Sequence, residues 1–477
     1  MDELSRRQGK LSTGKLDLIE QLLRKKGINA PSTETIERRA IPSPAPLSFA
    51  QERLWFLAEM EPDSPAYNMP AAFRLSGRLD ADALRRSLSE VIRRHEILRT
   101  TFTLVSDAPA QIIHQAQPFD LPLIDFSHLS EEERITEQAK ITAAESARPF
   151  DLSQAPLMRA TLLRLSEEEH LLLFILHHII CDGWSIKIFV DEVRQLYRGF
   201  LTGESVELEE LPLQYADFAL WQRHYLRGLT LSRQLSYWRA QLMDAPPLLE
   251  LPADRPRPAL QSYRGATHRF TLPSAFVTGL ESLARREGAT LFMLLLAAFK
   301  VLLYRYTGQG DVVVGAPIAN RNRAEIEGLI GFFVNTLVLR TKLDGERSFR
   351  ETLREEKRVC LEAYAHQDLP FEKLIEELKP ERSLRHSPLF QVMFDVETNP
   401  LESFELPDLS VNSLPAGEEF AKFDLELTIS NSAPDTTVSL KYNTDLFDAD
   451  TATRMLRHFQ VLLEAIHADP DRRISEL

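Results

Sequence analysis

Two adjacent histidines, His177 and His178, follow a strongly apolar segment in the stretch LLLFILHHIICDGWS, residues 171–185. The six consecutive apolar residues at 171–176 are typical of a β-strand that is buried on both faces. An imidazole at the end of such a strand can act as a general base or hold a substrate by a hydrogen bond. Because neighbouring strand residues point to opposite sides, we expect at most one of the two rings to face a substrate.

Metal and nucleophilic chemistry have little support in this stretch. The HxxxD spacing lacks a third ligand at a recognisable spacing and no HExxH motif occurs, so no metal site is predicted. There is no GxSxG motif, Ser185 is expected to cap a helix, and Cys181 lies among apolar residues that would raise its pKa. A glycine-rich phosphate loop is also absent from the sequence. The remaining hypothesis is a single histidine that acts on two bound substrates without a covalent enzyme intermediate.

The residues after the histidines predict a turn and then a helix. Asp182 and Gly183 mark the turn, and apolar residues at helical spacing follow at 186, 189, 190 and 193. A buried carboxylate at Asp182 would be costly unless an arginine neutralises it, so we expect this residue to brace the loop. Gly183 has no side chain and would allow a substrate or a backbone segment to approach closely.

The composition is that of a globular chain. The 477 residues are 44% hydrophobic and 26% charged, which excludes a disordered or fibrous protein. The 56 basic and 70 acidic side chains give a net charge of −14, so nucleic acid is not an expected partner. The N-terminus lacks the apolar core of a signal peptide, and the longest apolar run, Leu291 to Leu303, is interrupted by Lys300. We therefore expect a cytoplasmic protein without membrane association, in which this run forms a buried helix.

Interleaved helix and strand patterns predict an α/β or α+β chain, and its length predicts two lobes. An apolar helical face predicts an amphipathic helix, a possible docking element, at 1–28, and a proline-rich stretch predicts a linker at 29–46. We predict an N-terminal lobe at 47–215, which carries the two histidines, and a C-terminal lobe at 216–477. The clearest single elements are helices at 80–94, 273–287 and 291–304 and strands at 311–316, 334–340 and 438–442.

The HHxxxDG motif at 177–183 resembles the signature of the condensation domains of nonribosomal peptide synthetases, which are relatives of chloramphenicol acetyltransferase. Six further blocks resemble motifs of the same family and occur in the family's order. They are SFAQERLWFL (48–57), RHEILRTTF (94–102), YADFALWQR (215–223), IGFFVNTLVLR (330–340), HQDLPFEKLIEEL (366–378) and SPLFQVMF (387–394). Together the blocks extend over most of the expected folded chain.

The resemblance implies an α/β (α+β) fold of two chloramphenicol-acetyltransferase-like lobes in a V-shaped pseudo-dimer. A central tunnel would be entered from opposite faces by phosphopantetheine arms. Asp182 would be structural and paired with Arg99, which lies on a predicted strand. The implied site residues are His178 as the catalytic group, His177, Asp182, Gly183 and Arg99 as supporting groups, and Trp184 and Asn335 in the substrate channel.

The reaction that the resemblance implies is amide-bond formation between a donor acyl or aminoacyl thioester and the α-amine of an acceptor aminoacyl thioester. Donor and acceptor carrier proteins would present both substrates on phosphopantetheine, so the chain itself would bind no cofactor, and acyl-CoA is a possible donor. An α-amine has a pKa near ~8, so an appreciable fraction is neutral at cytoplasmic pH. His178 would either accept a proton as the amine attacks or orient the amine by a hydrogen bond.

Several alternatives stay open. The blocks at 48–57 and 94–102 most resemble the subtype that joins an L-configured donor to an L acceptor. A starter domain, which takes a fatty acyl group from coenzyme A or an acyl carrier protein, is the second subtype. A more distant alternative is a free-standing O-acyltransferase that uses coenzyme A thioesters and an alcohol. A catalytically inactive docking platform is a further class, although the intact HHxxxDG motif argues against it.

Overall fold

The computed structural model describes residues 35–477 except for 42, 204–205, 207, 382, 399–402, 415–419 and 432–434. The predicted helix at 1–28 and the start of the predicted linker, 29–34, lie outside the described residues. The last two residues of the predicted linker form the first short strand, at Ala45–Pro46. From there on, helices and strands are interleaved along the chain, as the sequence patterns predict.

The described residues form the following elements in chain order. The strands are β1 (Ala45–Pro46), β2 (Asn68–Gly77), β3 (Thr100–Val105), β4 (Ala108–Ile113), β5 (Leu123–Asp125), β6 (Met158–Arg164), β7 (Glu169–His177), β8 (Gly265–Leu272), β9 (Asp311–Ile318), β10 (Asn335–Lys342), β11 (Val392–Thr398), β12 (Ser403–Leu406), β13 (Leu409–Leu414), β14 (Leu425–Asn431) and β15 (Thr436–Asn443). The helices are α1 (Phe49–Met60), α2 (Ala81–Arg94), α3 (Glu131–Ala147), α4 (Gly183–Thr202), α5 (Tyr215–Tyr225), α6 (Gly228–Leu242), α7 (Ser274–Arg286), α8 (Leu291–Thr307), α9 (Ala324–Glu327), α10 (Phe349–Tyr364), α11 (Phe371–Leu378) and α12 (Ala449–Ala468).

The strand that carries the apolar run, β7, is central in a six-stranded sheet of order β12-β13-β2-β7-β6-β5. It pairs antiparallel with β2 on one side and with β6 on the other. The even-numbered residues of the run pack toward α2 and α4, where the ring centroid of Phe174 lies 5.0 Å from that of Phe189. The odd-numbered residues pack into a separate cluster that includes Ile141 of α3. Burial on both faces explains why the run does not alternate with polar residues.

Residues 403–414, which chain order places in the predicted C-terminal lobe, complete the first sheet. Strand β13 pairs antiparallel with β2, with Val411 opposite Leu75, and β12 pairs with β13. Strand pairing joins segments that are distant in sequence, so a boundary drawn along the chain does not reveal this hairpin. The lobe limits 47–215 and 216–477 themselves stay predictions.

A second six-stranded sheet has the order β10-β9-β11-β14-β15-β8. Helices α7, α8, α10 and α12 contribute to its hydrophobic core, and α8 is buried from Met293 to Leu303. The predicted helices and strands of this region are confirmed, and so is the helix at 80–94, which begins after its N-cap Asp80. Among the described helices, none alone has the length and hydropathy of a membrane span; α7 and α8 reach them only when joined across a 99° bend.

The charged residue inside the apolar run, Lys300, is buried in α8 and paired. Its Nζ lies 2.9 and 3.0 Å from the carboxylate oxygens of Glu356 in α10, and it donates to the Thr341 hydroxyl at 2.9 Å. The hydroxyl of Thr341 donates to Glu356 at 2.8 Å. The lysine therefore ties α8 to α10 and β10 without leaving a buried charge uncompensated.

We expect Glu356→Ala to lower the free energy of unfolding by about 3–5 kcal/mol, because it leaves the Lys300 ammonium buried without a counter-ion. The double variant Lys300→Met/Glu356→Leu should recover most of this loss, since it removes both charges and keeps similar volume. Urea denaturation of the three proteins measures both effects. A single variant as stable as the wild type would contradict the buried pair.

Candidate active site

His178 lies where the central strand β7 ends. His177 is the last residue of β7, and one turn of 3₁₀ helix, His178–Ile180, follows. The His178 backbone N–H donates to the carbonyl of Tyr67 at 2.9 Å, just before β2 begins. Its ring is half-buried and lies edge-on to Phe332, with 4.8 Å between the ring centroids. The predicted position of the histidine pair at the end of a core strand is thus confirmed.

The surroundings of the His178 ring determine its protonation. Nδ1 lies 2.8 Å from the carbonyl oxygen of Cys181. A carbonyl only accepts, so Nδ1 carries the proton and the lone pair of the neutral ring is on Nε2. Burial and, next, the positive charge of Lys422 lower the pKa of His178 to about 4. At neutral pH the ring is therefore an uncharged hydrogen-bond acceptor through Nε2.

The ring of His177 contacts different residues from the ring of His178. Its ring centroid lies 6.0 Å from that of Phe150 and 6.5 Å from that of Tyr67. Its Nδ1 accepts the backbone N–H of Ile179 at 3.2 Å, which stabilises the turn after β7. Burial lowers the pKa of His177 to about 3, so this ring is also neutral. The two rings contact different residues, as expected for neighbours on a strand.

Asp182 is the N-cap of α4. Its Oδ1 accepts the backbone N–H of Ser185 at 2.8 Å and the hydroxyl of the same residue at 2.7 Å. Its Oδ2 accepts the backbone N–H of Phe333 at 2.9 Å, from the segment that leads into β10. The prediction that Ser185 caps the helix was wrong, because the carboxylate one turn earlier takes that position and Ser185 becomes its partner.

The arginine that neutralises Asp182 is Arg321, not Arg99. Nη2 of Arg321 lies 3.3 Å from Asp182 Oδ1 and donates to the Ser185 hydroxyl at 2.7 Å. Its Nη1 donates to the carbonyls of Ile326 and Leu329 at 2.8 and 2.6 Å. Burial lowers the pKa of Arg321, although Asp182 opposes that change.

The predicted pairing of Arg99 with Asp182 was therefore wrong. Arg99 ends a 3₁₀ turn at Glu96–Arg99 and precedes β3, whereas the prediction placed it on a strand. Its guanidinium donates to the His114 carbonyl and lies 4.0 Å from Glu96. The turn directs the side chain to the end of β4, away from the helix cap.

A second set of bonds holds Phe332 against His178. Tyr215 donates its hydroxyl to the Phe332 carbonyl at 2.6 Å and lies 2.8 Å from the Ser48 hydroxyl. Gly331 packs on the Tyr215 ring so closely that a Cβ would lie 1.9 Å from it, which requires glycine. The residues Ser48, His178, Tyr215 and Phe332 belong to four different blocks, and they meet at this point.

The remaining predicted site residues differ in position. Trp184 is 41% exposed and donates its indole N–H to the Glu327 carbonyl at 3.1 Å, so it lies beside the site. A Cβ on Gly183 would meet no atom within 4 Å, which leaves open space next to the start of α4.

Asn335 is buried at the start of β10 in the second sheet. Its amide nitrogen donates to the carbonyls of Gln367 and Leu369 at 2.9 Å each, and its oxygen accepts the N–H of Phe371 at 2.9 Å. The side chain is buried with its polar atoms occupied, so it holds the 367–371 loop. Its predicted role in the substrate channel stays a prediction.

The architecture and the motifs agree with a known family. The family model "Condensation domain" matches residues 43–477. The chain belongs to the condensation domain family. The expected enzyme class, an acyltransferase that forms amide bonds in nonribosomal peptide synthesis, is thereby confirmed.

This condensation domain is similar to segments of large synthetases. It is 46% identical over 432 residues to chondramide synthase cmdD of Chondromyces crocatus, in a match that covers 91% of this chain and 11% of that protein. It is 40% identical over 481 residues to phosphinothricin tripeptide synthetase PhsC of Streptomyces viridochromogenes, in a match that covers 100% of this chain and 44% of that protein. The chain thus spans less than half the length of these relatives.

Solved structures share the fold. The X-domain from teicoplanin biosynthesis superposes with a TM-score of 0.83 at 32% identity, over 93% of this chain and 99% of that one. The first condensation domain of the calcium-dependent antibiotic synthetase gives a TM-score of 0.75 at 21% identity, over 91% of this chain and 99% of that one. The predicted mixed α/β fold class is confirmed, and the V-shaped arrangement with its tunnel stays a prediction.

Three residues near the site were missed from the sequence. Arg321 lies shortly before the IGFFVN block, and its position after a predicted buried strand was the available signal. Tyr67 and Lys422 have no motif of their own. The Nζ of Lys422 lies 4.6 Å from the centroid of the Tyr67 ring, and this contact depends wholly on the tertiary structure.

Arg321→Ala should lower the free energy of unfolding by about 3–5 kcal/mol, because Asp182 then loses its counter-ion inside the protein. Arg99→Ala is the matched control, and we expect a loss of at most about 1 kcal/mol because that side chain is partly exposed. Urea denaturation of both variants measures the difference. Equal losses would contradict the assignment of Arg321 as the partner of Asp182.

The lowered pKa of His178 also predicts a pH dependence of stability. The unfolded chain binds a proton at the ordinary pKa of 6.5, while the folded ring resists protonation until about 4. Stability from this group is complete above pH 6.5 and is lost as the pH falls toward 4. Between pH 7 and pH 5 the wild type should lose about 2 kcal/mol more than His178→Gln. Denaturant titrations at both pH values measure this, and parallel losses would show that His178 titrates normally.

Proposed function

We propose that this condensation domain joins the acyl group of a donor thioester to the α-amine of an acceptor aminoacyl thioester, with His178 as the catalytic residue. The observation that carries the proposal is the neutral ring of His178. Its proton is on Nδ1, and its Nε2 forms no hydrogen bond with any residue that the structure describes. Such an acceptor suits a reaction in which a neutral amine must be oriented and then lose a proton.

The lowered pKa of His178 constrains how it acts. An α-amine has a conjugate acid with a pKa near ~8, well above that of this ring, so His178 does not deprotonate an ammonium group in the ground state. It accepts a hydrogen bond from the neutral amine and holds the nitrogen lone pair toward the thioester. The proton moves to Nε2 once the attacking nitrogen has become more acidic in the tetrahedral adduct.

The supporting residues position this ring. Cys181 fixes the tautomer through its carbonyl, and the Asp182 cluster, which we define as Asp182, Ser185, Arg321 and the backbone of Gly331 and Phe333, fixes the loop that follows. The open space at Gly183 leaves room for a substrate beside the start of α4. No metal ion or bound cofactor takes part in this proposal.

The substrates reach the site on carrier proteins in this proposal. The chain matches segments of multidomain synthetases, in which carrier domains bear acyl and aminoacyl groups on phosphopantetheine, and this likeness supports delivery by two carriers. We propose an L-configured aminoacyl or peptidyl donor, as the opening blocks suggest. A fatty acyl donor from acyl-CoA or an acyl carrier protein, used by a starter domain, is the second candidate.

A docking platform without catalysis is the competing function. One relative with 32% identity, an X-domain from teicoplanin biosynthesis, was solved in a complex with OxyB. The HHxxxDG motif of this chain, with a neutral ring at His178, favours catalysis over docking alone. An O-acyltransferase would use the same ring on an alcohol.

The test loads a donor carrier protein with an acyl or aminoacyl group and an acceptor carrier protein with an amino acid, and detects the amide by mass spectrometry. We expect amide from the wild type and a rate lower by about 10²- to 10⁴-fold for His178→Ala, because the amine loses its acceptor. His128→Ala, which changes an exposed histidine, is the control and should keep the full rate.

Each contrary outcome has a separate meaning. Undiminished amide formation by His178→Ala would show that His178 is not the catalytic residue. Ester formation from added alcohols, without amide, would establish the O-acyltransferase. A wild type that binds loaded carriers and forms neither product would favour the docking platform.

A further inference from the structure

A lysine from the segment before β14 reaches the end of the first sheet, beside the histidines. Lys422 precedes β14, and its ammonium lies over the ring of Tyr67, 4.6 Å from the centroid. Tyr67 is the residue whose carbonyl accepts the His178 backbone N–H. Tyr67 therefore contacts both residues. Its side chain contacts the Lys422 ammonium, and its backbone carbonyl binds His178.

The backbone around Lys422 is firmly attached. The Ala421 N–H donates to the carbonyl of Tyr263 at 2.9 Å, and Gln261 donates its amide to the carbonyl of Lys422 at 2.9 Å. Asp424 forms a salt bridge with Arg257, in which Nη1 lies 2.8 Å from Oδ1. Anchoring on both sides fixes where the lysine side chain leaves the chain.

None of the residues that the structure describes is an anionic partner of the Lys422 ammonium. Within the part of the chain that the structure describes, it forms no salt bridge and no hydrogen bond, and it contacts the Tyr67 ring. Lys300, the buried lysine of α8, instead has Glu356 and Thr341 as partners. A half-buried cation that the fold leaves unpaired costs stability, so it is retained more readily where a ligand supplies the negative charge.

The charge is present at neutral pH. Burial lowers the pKa of Lys422 to about 8, and the group is still mostly protonated at pH 7. Glu426 on β14 opposes that change, while Arg53 of α1 and Lys441 of β15 add to it. Around His178 the charged groups are Lys422 and Asp182, with the neutral His177 beside it. Lys422 therefore supplies positive charge that acts on both rings, those of His177 and His178.

We propose that the Lys422 ammonium is a second catalytic residue, which faces the donor carbonyl oxygen and stabilises the oxyanion of the tetrahedral adduct. This inference rests on the proposed amide formation. The neutral thioester carries no full charge in the ground state, and the anion exists only at the adduct. A cation without a permanent partner therefore stabilises the transition state more than it stabilises the bound substrate.

Electrons and protons balance over the reaction. The acceptor nitrogen forms a bond to the donor carbonyl carbon, and the π electron pair moves to oxygen, opposite Lys422. His178 Nε2 receives the proton that the nitrogen loses. The oxyanion then re-forms the carbonyl, the carbon–sulfur bond breaks with its electron pair on sulfur, and the imidazolium returns the proton to the thiolate. The products are one amide and one free phosphopantetheine thiol.

This division of roles explains why a cation lies near a base. The charge of Lys422 opposes proton transfer to His178 in the free enzyme, which keeps Nε2 available to the amine. In the adduct the oxyanion offsets the lysine charge, so the same ring becomes a better proton acceptor at the step that needs one. The two residues thus act in sequence and not against each other.

The experiment measures single-turnover amide formation with loaded donor and acceptor carriers for wild type, Lys422→Met, Lys422→Arg and the control Lys342→Met. Lys342 is an exposed lysine at the end of β10, and Phe332 and Phe333 precede the other end of that strand, so its loss removes the same charge away from the site. We expect Lys422→Met to be slower by about 10²-fold at saturating carriers with an unchanged half-saturation concentration, because only the adduct uses the charge. Lys422→Arg should retain at least about a tenth of the rate, and Lys342→Met all of it.

Two readouts do not depend on turnover. Lys422→Met should melt at the same or a higher temperature than the wild type, because it removes a half-buried cation that none of the described residues pairs. Its His178 ring should titrate at a higher pH than in the wild type, as followed by NMR of the imidazole. A merely structural lysine would instead lower the melting temperature and leave the titration unchanged.

The contrary outcomes are distinct. A wild type that forms amide while Lys422→Met keeps its rate within about twofold overturns the role of Lys422 and leaves the proposed function intact. A raised half-saturation concentration at an unchanged maximal rate shows that the cation binds a permanent anion of the substrate, which also overturns it. A wild type that forms no amide overturns the proposed function and this inference together.

Discussion

The site depends on one buried carboxylate, that of Asp182, which bonds to two parts of the chain that are distant in sequence. Asp182 ends the turn after the histidines by capping α4, and the same group accepts Arg321 and the backbone of Phe333 from the second half of the chain. A buried charge with these partners is stable only in one arrangement, because each partner lost would leave polar groups unsatisfied. The loop that carries His178 and the segment that carries Phe332 are consequently fixed relative to each other. This arrangement supplements the bonds that His178 itself makes to Cys181 and Tyr67.

The residues around His178 determine its charge state, and that charge state determines what chemistry the ring can perform. The ring of His178 is kept neutral by burial and by the positive charge of Lys422, while the carbonyl of Cys181 directs its lone pair to Nε2. A neutral acceptor beside a cation matches a reaction in which a proton leaves nitrogen while negative charge grows on oxygen. A thioester donor is already activated, so such a site needs no nucleotide. The family to which the chain belongs and the geometry of the site therefore point to the same class of reaction.

Much of the fold could be predicted because local pattern and burial coincide. The apolar run at 171–176 predicts β7 since that strand is covered on both faces, and the run at 291–303 predicts α8 for the same reason. The charge at Lys300 did not break that helix, because Glu356 compensates it from a neighbouring helix. The sequence did not show which sheet the hairpin of β12 and β13 joins. Its strands carry ordinary patterns, and only pairing with β2 decides that they belong to the first sheet.

By itself the sequence determined the motif blocks, the strand that ends in the histidines and the separation of the two rings, because these depend on residue types and on the two-residue period of a strand. Only the tertiary structure decided the partner of Asp182, the position of Asn335 inside the packing and the approach of Lys422 to Tyr67. Arg99 lies in the block at 94–102 and Arg321 shortly before the IGFFVN block, and the local sequence does not show which of them reaches Asp182. The choice between them depends on which segment the fold brings to the start of α4, and that is a property of long-range packing.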